Sequence, residues 1–163
     1  MQASKMEWEK KVHSALKADE WPEGVLDNMD EGIILAMSEL RGVTGAPMWP
    51  SPIPRAHVRK SGNSMHSTKE GTRLSMATDF FIHWHDFLNV YTQAIRHPEI
   101  AGVGFYNAMR FRSEEPGEWC MVHIDLREDD LWWIGAGREP VDYVYWDSRP
   151  VKYAELLLEM LKK

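Results

Sequence analysis

Two segments of the chain carry histidine and aspartate residues at spacings that suit metal or proton chemistry. In NSMHSTKEGTRLSMATDFFIHWHD, His66 lies in a polar loop and Asp79 begins an apolar strand. In MVHIDLR, His123 and Asp125 are two residues apart, so their side chains share one face of a strand. This strand alone favours a plain interpretation, a surface histidine beside a surface aspartate. Considered together, His66, Asp79 and His123 supply two imidazoles and a carboxylate, which suits a catalytic Zn²⁺ with an open fourth position.

Other reactive residues have structural interpretations that we favour. His83 and His85 have the same strand parity as Asp79, so D-x-x-x-H-x-H is a rival metal cluster. We instead expect HWHD to form the N-terminal cap region of the next helix, with Asp86 in its first turn. Cys120 lies in an apolar strand, which predicts an inert buried thiol rather than a nucleophile.

The strands predicted around these residues would position them. Residues 74–82 predict a short strand in which Asp79 and Phe81 share one face and Phe80 and Ile82 share the other. Further strands are predicted in GVGFYNAMRF, EWCMVHIDLR and VDYVYW, with the turn RSEEPGE between the first two. With helices before and after these strands, the chain order predicts the α+β class.

Four helices are predicted by apolar residues at helical spacing. The first follows a capping box at Ser4 and Glu7, the second spans 29–40, the third fits 85–97, and the last begins at Pro150. The residues expected to be buried are Trp8, Val12, Ala15 and Leu16 in the first helix, Met29, Ile33, Ile34, Met37 and Leu40 in the second, Phe87, Leu88, Tyr91, Ala94 and Ile95 in the third, and Val151, Ala154, Leu157, Leu158 and Leu161 in the last. Four prolines in GAPMWPSPIPR predict an irregular, rigid loop.

The motifs between positions 64 and 133 resemble those of the M15 family of zinc peptidases, which includes D-alanyl-D-alanine carboxypeptidases and phage endolysins. That family shows S-x-H, then G-x-A-x-D, then a late strand with a zinc-binding histidine. Ser64-Met65-His66 matches the first motif, and SMATD matches the second with serine in place of glycine. GVGFYNAMRF and WCMVHIDLRED resemble the late hairpin, in which H-x-D-x-R is common. One of the tryptophans at 132 and 133 matches a tryptophan that often follows.

The resemblance implies a fold, a ligand set and a reaction. The fold would be a small antiparallel sheet flanked by helices, as in the hedgehog-like DD-peptidases. By the family pattern, His66, Asp79 and His123 would bind Zn²⁺. The reaction would be hydrolysis of amide bonds in the stem peptides of peptidoglycan, of either the endolysin or the carboxypeptidase type.

The loop between the first two motifs departs from the family pattern. Twelve residues separate His66 from Asp79, where the family usually has six. A loop can lengthen at small entropic cost if its ends stay close. Residues 67–74 are polar and contain Gly71, so we expect them to form a solvent-exposed flap beside the site.

The general base is a second departure. Many family members have a carboxylate three residues before the last histidine, and that position is Cys120 here. Asp125 shares a face with His123 and could act as the base. Alternatively, it could orient the His123 ring by a hydrogen bond without binding the metal itself. Glu118 lies near the start of the strand and is the other candidate base. The sequence leaves these alternatives open.

Two arginines precede the His66 loop. Arg55 and Arg59 could bind a substrate carboxylate through bidentate contacts, and the family often has an arginine in this vicinity. Solubilisation of the surface is an equally good interpretation of either side chain.

Composition limits the class of protein. The 163 residues suit one domain, which we expect to span 1–163 as a single peptidase-like unit. A net charge of -6 argues against nucleic-acid binding, which requires a basic face. The single cysteine excludes an internal disulfide and a thiolate zinc cluster. The apolar runs are too short to predict membrane insertion.

The N-terminal sequence has no uninterrupted apolar core and predicts no secretory signal. We therefore expect a protein made in the cytoplasm that acts on the cell wall after release or as part of a phage virion. The alternative function is that of a non-catalytic, metal-containing cell-wall-binding or virion structural protein of the same fold. The oligomeric state, the target organism and the bond that is cut are left open by the sequence.

Overall fold

The computed structural model describes residues 16–60, 62–68, 74–107, 118–137 and 141–162. Within these residues the chain is a mixed α+β structure with one six-stranded sheet and three α-helices. The helices are α1 Glu31–Thr44, α2 Phe87–Ala94 and α3 Pro150–Met160. The strands are β1 Trp49–Pro50, β2 Ala77–His83, β3 Gly102–Tyr106, β4 Trp119–Asp125, β5 Leu131–Ala136 and β6 Asp142–Tyr145.

The sheet is larger than the small antiparallel sheet that the resemblance implies. Its strands lie in the order β1-β2-β4-β3-β5-β6, and β3 and β5 are parallel while all other neighbours are antiparallel. Strands β2, β3, β4 and β6 lie in the segments where alternation predicts them, with shifted ends. The sequence does not predict β5, because LWWIGA lacks the apolar and polar alternation of a half-buried strand.

Helix α1 forms where its pattern predicts it. The Asp30 side chain caps the helix by accepting a hydrogen bond from the Gly32 backbone N–H at 2.8 Å. Gly45 ends it in the left-handed conformation, with φ of 64°. The predicted apolar face is confirmed, because Ile33, Ile34, Met37 and Leu40 are all buried. Met29 is also buried, but it lies before the helix in a bridge with Ser75.

Helix α2 is shorter than the predicted helix and buries a narrower face. HWHD forms a 3-10 turn and then the start of the helix, as expected, with Asp86 at the N-cap position. Phe87 and Ala94 are buried as predicted. Leu88 was expected in the core, but 58% of its surface is exposed because Val90 takes the inward position instead.

Helix α3 turns a different face to the sheet from the one predicted. Tyr153, Leu156 and Met160 are buried, and of the predicted stripe only Leu157 packs against the core, partly buried. By contrast, 74% of Val151, 58% of Leu158 and 43% of Leu161 are exposed. The prediction was wrong because leucines lie on more than one side of this helix, so periodicity alone does not select a face. The face is decided by packing against β5 and β6.

The two faces of the sheet have different roles. One face joins the three helices in a single apolar core, through alternate residues of β2, β3, β4, β5 and β6. The other face carries the polar residues that the sequence singles out. None of the helices in the described residues combines the length and the hydropathy needed to cross a membrane. Of the predicted first helix, Ser4, Glu7, Trp8, Val12 and Ala15 lie outside the described residues, while Leu16 is buried in the core as expected.

Candidate metal centre

Three side chains converge on the open face of the sheet. The Nδ1 atom of His123 lies 2.8 Å from Oδ1 of Asp79 and 3.1 Å from Nε2 of His66. The Nε2 atom of His66 lies 3.5 Å from the same Asp79 oxygen. Ligands at about 2.0–2.1 Å from a tetrahedral Zn²⁺ are separated from each other by roughly 3.3 Å. The three atoms therefore already form a triangle of the size that a tetrahedral metal ion requires, which confirms the predicted grouping of these residues.

Pairing of β2 with β4 brings two of the three residues together. Asp79 and His123 are direct partners in the antiparallel register, so their side chains stand side by side on one face. Asp79 is 8% exposed and His123 is 6% exposed. Phe80 and Ile82 point into the core on the opposite face, as the alternation predicts. The sheet thus fixes two of the three candidate ligands without help from a loop.

The third candidate ligand, His66, comes from a loop whose backbone is hydrogen-bonded to residues that precede it and to residues that follow it. The carbonyl of His66 accepts a hydrogen bond from the Arg59 N–H at 2.8 Å, and the carbonyl of Met65 accepts one from Met76 at 3.0 Å. The second bond closes the long insertion next to β2, so the twelve-residue spacing does not separate His66 from Asp79. The flap prediction is wrong at its start, because Ser67 is 1% exposed and bridges to Arg59. Residues 69–73 lie outside the described residues.

Asp125 holds His123 from the side opposite the triangle. Its Oδ2 atom lies 2.8 Å from His123 Nε2, and its Oδ1 atom accepts a hydrogen bond from Arg127 Nε at 2.7 Å. A second Arg127 nitrogen, Nη2, also donates to Oδ2. Asp125 has no exposed surface, so the interpretation of His123 and Asp125 as a surface pair is wrong. Of the two roles that the sequence leaves open for Asp125, this geometry supports the orienting one.

The charges of this cluster depend strongly on one another. Burial alone would raise the pKa of Asp79, but hydrogen bonds from His123 and His66 hold that pKa well below its usual range. Burial likewise opposes ionisation of Asp125, yet Arg127 and His123 hold its pKa low as well. For His123, burial favours the neutral ring, but the bonds to Asp125 and Asp79 outweigh it and raise the pKa to about 9. Each carboxylate thus keeps a low pKa through its positively polarised partners, and the proton on His123 is the charge that a metal ion would have to displace at the triangle.

The donor set fits a metal cation. Because the Asp125 carboxylate only accepts hydrogen bonds, His123 Nε2 must carry a proton. In a neutral His123, the Nδ1 lone pair then faces an Asp79 oxygen at 2.8 Å, and two acceptors at this distance need a proton or a cation between them. Nδ1 of His66 is buried without a hydrogen-bond partner among the described residues. The polar contacts of this ring with His123 and Asp79 are made by Nε2. Nitrogen and carboxylate donors of this kind suit zinc.

The triangle opens into a cavity of about 370 Å³. Arg59 contributes to its wall, as one of the two proposed substrate-binding arginines, whereas exposed Arg55 does not. Glu118 is exposed at the start of β4 and does not line the cavity. At about 3.3 Å per residue, the five positions between Glu118 and His123 correspond to roughly 16 Å of strand. The lining comprises Arg59, Asn63, Ser64, Met65, His66, Asp79, Tyr106, His123, Asp125, Arg127, Leu131, Trp133, Tyr143 and Tyr145.

An aromatic wall lies beside the candidate metal centre, and the sequence analysis singled out only its tryptophan, through the resemblance at 132 and 133. His123, Gly104, Trp133 and Tyr145 are successive partners across β4, β3, β5 and β6. The Trp133 ring lies 5.0 Å from the His123 ring, measured between centroids, and Arg127 lies over its face at 5.3 Å. The signal for Tyr106 was available in the sequence, since it lies two residues after Gly104 in a predicted strand. The position of Trp133 and Tyr145 beside His123 could not be predicted, because it depends on β5 and on its pairing with β3 and β6.

The remaining reactive candidates are separate from the metal centre. The ring of His83 stacks on Trp119 at 4.0 Å between centroids and on His85 at 5.1 Å, at the far end of β2. The described residues contain no third ligand for these two histidines. Cys120 is fully buried on the core face of β4, as predicted, and cannot reach the cavity.

One buried histidine had no signal in the sequence. His57 is fully buried, and its Nε2 atom lies 2.7 Å from the Ser51 carbonyl while Nδ1 lies 2.8 Å from the Thr78 hydroxyl. The carbonyl only accepts, so Nε2 carries the proton and Nδ1 accepts from Thr78. His57 therefore ties the proline-rich loop to β2 immediately beside Asp79.

Comparison with known proteins identified no relative of this chain. The search returned no matching family model, no similar curated protein and no similar solved structure.

Proposed function

We propose that this chain is a zinc-dependent peptidase that hydrolyses amide bonds in the stem peptides of peptidoglycan. The observation that carries the proposal is the triangle of His66, Asp79 and His123, buried at the base of an open polar cavity. The motif resemblance to M15 zinc peptidases supplies the substrate class and a hedgehog-like DD-peptidase fold. The proposed setting is that of a phage endolysin or carboxypeptidase, acting on the wall after release or from a virion.

The proposed reaction adds water across an amide bond. The water oxygen bonds to the carbonyl carbon, the C–N bond breaks, and the two water protons are shared between the new carboxyl group and the leaving amine. Zn²⁺ would polarise the carbonyl and lower the pKa of water toward neutrality. His66, Asp79 and His123 hold the ion, while Asp125 and Arg127 fix the ring of His123 so that Nδ1 faces the cavity.

The cavity is also suited to an extended peptide. Arg59 at its wall is a cation for a substrate carboxylate, in the role expected from the sequence. Trp133 and Tyr145 offer flat apolar surface with polar edges beside the metal centre. A ligand can therefore place an anionic end on one wall and its backbone across the other.

Metal analysis followed by a cleavage assay tests the proposal. The purified protein should contain about one Zn²⁺ per chain, in keeping with the three-ligand rule, and should cleave muropeptides, detected as new amines by mass spectrometry. The His66→Ala, His123→Ala double variant should lose both properties. His85→Ala is the matched control, because this histidine is exposed and distant from the triangle. Stoichiometric zinc in the double variant would show that the site is wrongly assigned.

A non-catalytic role is the second candidate, and one observation favours it. Among the described lining residues the only carboxylates are Asp79, a proposed ligand, and Asp125, which is bound to His123 and Arg127. Neither is a free general base of the type that peptidases use. If the zinc-loaded protein leaves muropeptides intact but sediments with purified cell walls, the metal-containing wall-binding or virion structural protein is the correct assignment.

A further inference from the structure

Two aromatic side chains lie flat on the sheet beside the metal centre because glycines face them on the neighbouring strand. Gly104 of β3 is the direct partner of Trp133 in β5, and Tyr106 of β3 is the direct partner of Gly135 in β5. A Cβ atom at Gly104 would overlap the Trp133 indole, and one at Gly135 would overlap the Tyr106 ring. Each glycine thus provides the space in which one aromatic ring lies.

The two rings are joined by a hydrogen bond. Nε1 of Trp133 donates to the Tyr106 hydroxyl at 3.3 Å. This bond occupies an acceptor position of the phenol oxygen, and a further side-chain hydrogen bond joins Tyr106 to Tyr143, which also lines the cavity. A substrate oxygen would take the phenol proton in place of Tyr143. Tyr106 is 8% exposed, and its exposed part lines the metal cavity. Its hydroxyl is therefore an oriented donor on a rigid strand.

The phenol also keeps its proton. Burial and then the negative charge of Asp79 raise the pKa of Tyr106 well above the usual value. A group of this kind cannot act as a general base at neutral pH, but it can donate a hydrogen bond throughout a reaction. Tyr143 contacts the Tyr106 ring edge-on, with 6.2 Å between centroids, on the side of β6.

Amide hydrolysis needs such a donor. As the water oxygen bonds to the carbonyl carbon, the electron pair of the C=O π bond moves to the carbonyl oxygen and makes it anionic. Donors fixed around that oxygen stabilise the transition state more than the substrate. Arg127 directs Nε and Nη2 at the Asp125 carboxylate and lies over the Trp133 ring, so these contacts hold it on the Asp125 side of the site. Arg59, Asn63 and Ser64 belong to the loop side of the cavity and not to the sheet.

We infer that Tyr106 is a catalytic residue of the proposed reaction, which donates a hydrogen bond to the carbonyl oxygen of the scissile amide. Trp133 is a positioning residue that directs the Tyr106 hydroxyl through its indole N–H. No proton passes from Tyr106, and no bond to it forms or breaks. The inference rests on the proposed peptidase function and extends it to the β3–β5 side of the cavity.

The variant Tyr106→Phe tests the inference with the zinc-loaded full chain and a muropeptide substrate. Loss of one such donor should lower kcat by about 10²-fold while KM and zinc content stay unchanged. A phosphinate analogue of the scissile bond, measured by calorimetry, should bind more weakly by about the same factor, because it mimics the charged oxygen. Tyr153→Phe is the matched control, since it removes a buried hydroxyl, bonded to Tyr91 in the core, without touching the cavity.

A second variant tests the positioning role of the Trp133 indole N–H. Trp133→Phe leaves the Tyr106 hydroxyl in place but withdraws its orienting N–H, so kcat and phosphinate affinity should fall by less than in Tyr106→Phe, again without loss of zinc. Wild-type cleavage with an unchanged kcat and unchanged phosphinate affinity in Tyr106→Phe would overturn the inference alone. A zinc-loaded wild type that does not cleave would overturn the proposed function and the inference together.

Discussion

At the scale of single residues, the two ring nitrogens of His123 and the groups that they face organise the candidate metal centre. His123 has a carboxylate at each ring nitrogen, with Asp79 at 2.8 Å from Nδ1 and Asp125 at 2.8 Å from Nε2. The first carboxylate shares the side on which His66 converges, and the second is bound to Arg127. The two aspartates therefore have different roles although both contact the same ring.

Replacing Asp125 by asparagine should weaken zinc binding. The amide keeps the shape of the side chain but loses the charge that pairs with Arg127 and orients His123. Loss of such a partner typically costs roughly 10–100-fold in metal affinity. Competition with a chromogenic chelator measures this affinity. Glu118→Gln is the matched control, because this exposed residue lies outside the cavity, and its zinc affinity and cleavage rate should equal those of the wild type.

A larger loss of cleavage than of zinc affinity in the Asp125 variant would restore the general-base role for Asp125. A slower Glu118→Gln enzyme would show that the segment before β4 reaches the cavity during catalysis. These two outcomes separate the alternatives that the sequence leaves open.

His57 should make the folded protein sensitive to mild acid. Burial lowers the pKa of His57 below the ordinary value of about 6.5, so the unfolded chain takes up this proton first as the pH falls. The free energy of unfolding should therefore decrease below about pH 6.5, by up to about 1.4 kcal/mol per pH unit, until the folded-state pKa is passed. Urea titrations at several pH values between about 5 and 7.5 measure this slope.

The variant His57→Gln should show a shallower pH slope than the wild type, and His85→Gln should not. His85 is the matched control because 74% of its side chain is exposed. An identical pH dependence in all three proteins would mean that His57 does not titrate differently in the folded and unfolded states.

At the scale of elements, the sheet positions the site through its register and its glycines. Asp79 faces His123 because β2 and β4 pair in one register, and a shift of one residue would turn both side chains toward the core. Strand β3 then contributes two glycines beside the site. Gly102 is the partner of Asp125, and Gly104 is the partner of His123.

Replacing Gly102 by alanine should displace Asp125. The added Cβ would overlap the Asp125 carboxylate, which is buried and held in place by His123 and Arg127. We expect a loss of about 1–3 kcal/mol in the free energy of unfolding, together with weaker zinc binding. Denaturant titration and chelator competition measure the two effects. Gly42→Ala is the matched control, because a Cβ at this helical position meets nothing within 4 Å and alanine favours the helix.

If Gly102→Ala unfolds and binds zinc like the wild type, the carboxylate of Asp125 has an alternative position and does not fix His123. That outcome would remove the proposed link between the strand and the metal centre.

At the scale of the whole molecule, zinc should stabilise the fold. The three candidate ligands come from the 62–68 loop, β2 and β4, so an ion bound to all three would join segments that are far apart in sequence. At free zinc about 100 times above the dissociation constant, the gain in free energy of unfolding is about 2.7 kcal/mol. Thermal unfolding with zinc and with chelator measures it. The His66→Ala, His123→Ala double variant should show no such gain, and an equal gain there would place the ion elsewhere.

The sequence by itself determined the residue types of the candidate ligands, the shared face of His123 and Asp125, the buried face of α1 and the buried position of Cys120. These features depend on spacing along a single helix or strand, which the local periodicity of the backbone fixes. The M15-type peptidase function and the single domain over 1–163 remain predictions.

Only the tertiary structure decided which of these residues meet. His66 and His123 are 57 residues apart, and their contact depends on loop closure and strand pairing that no local pattern encodes. The same applies to β5 and its aromatic wall, to the face that α3 buries, and to the exclusion of Glu118 from the cavity. Each of these depends on free energy gained between distant segments, which the spacing of residues along the chain does not reveal.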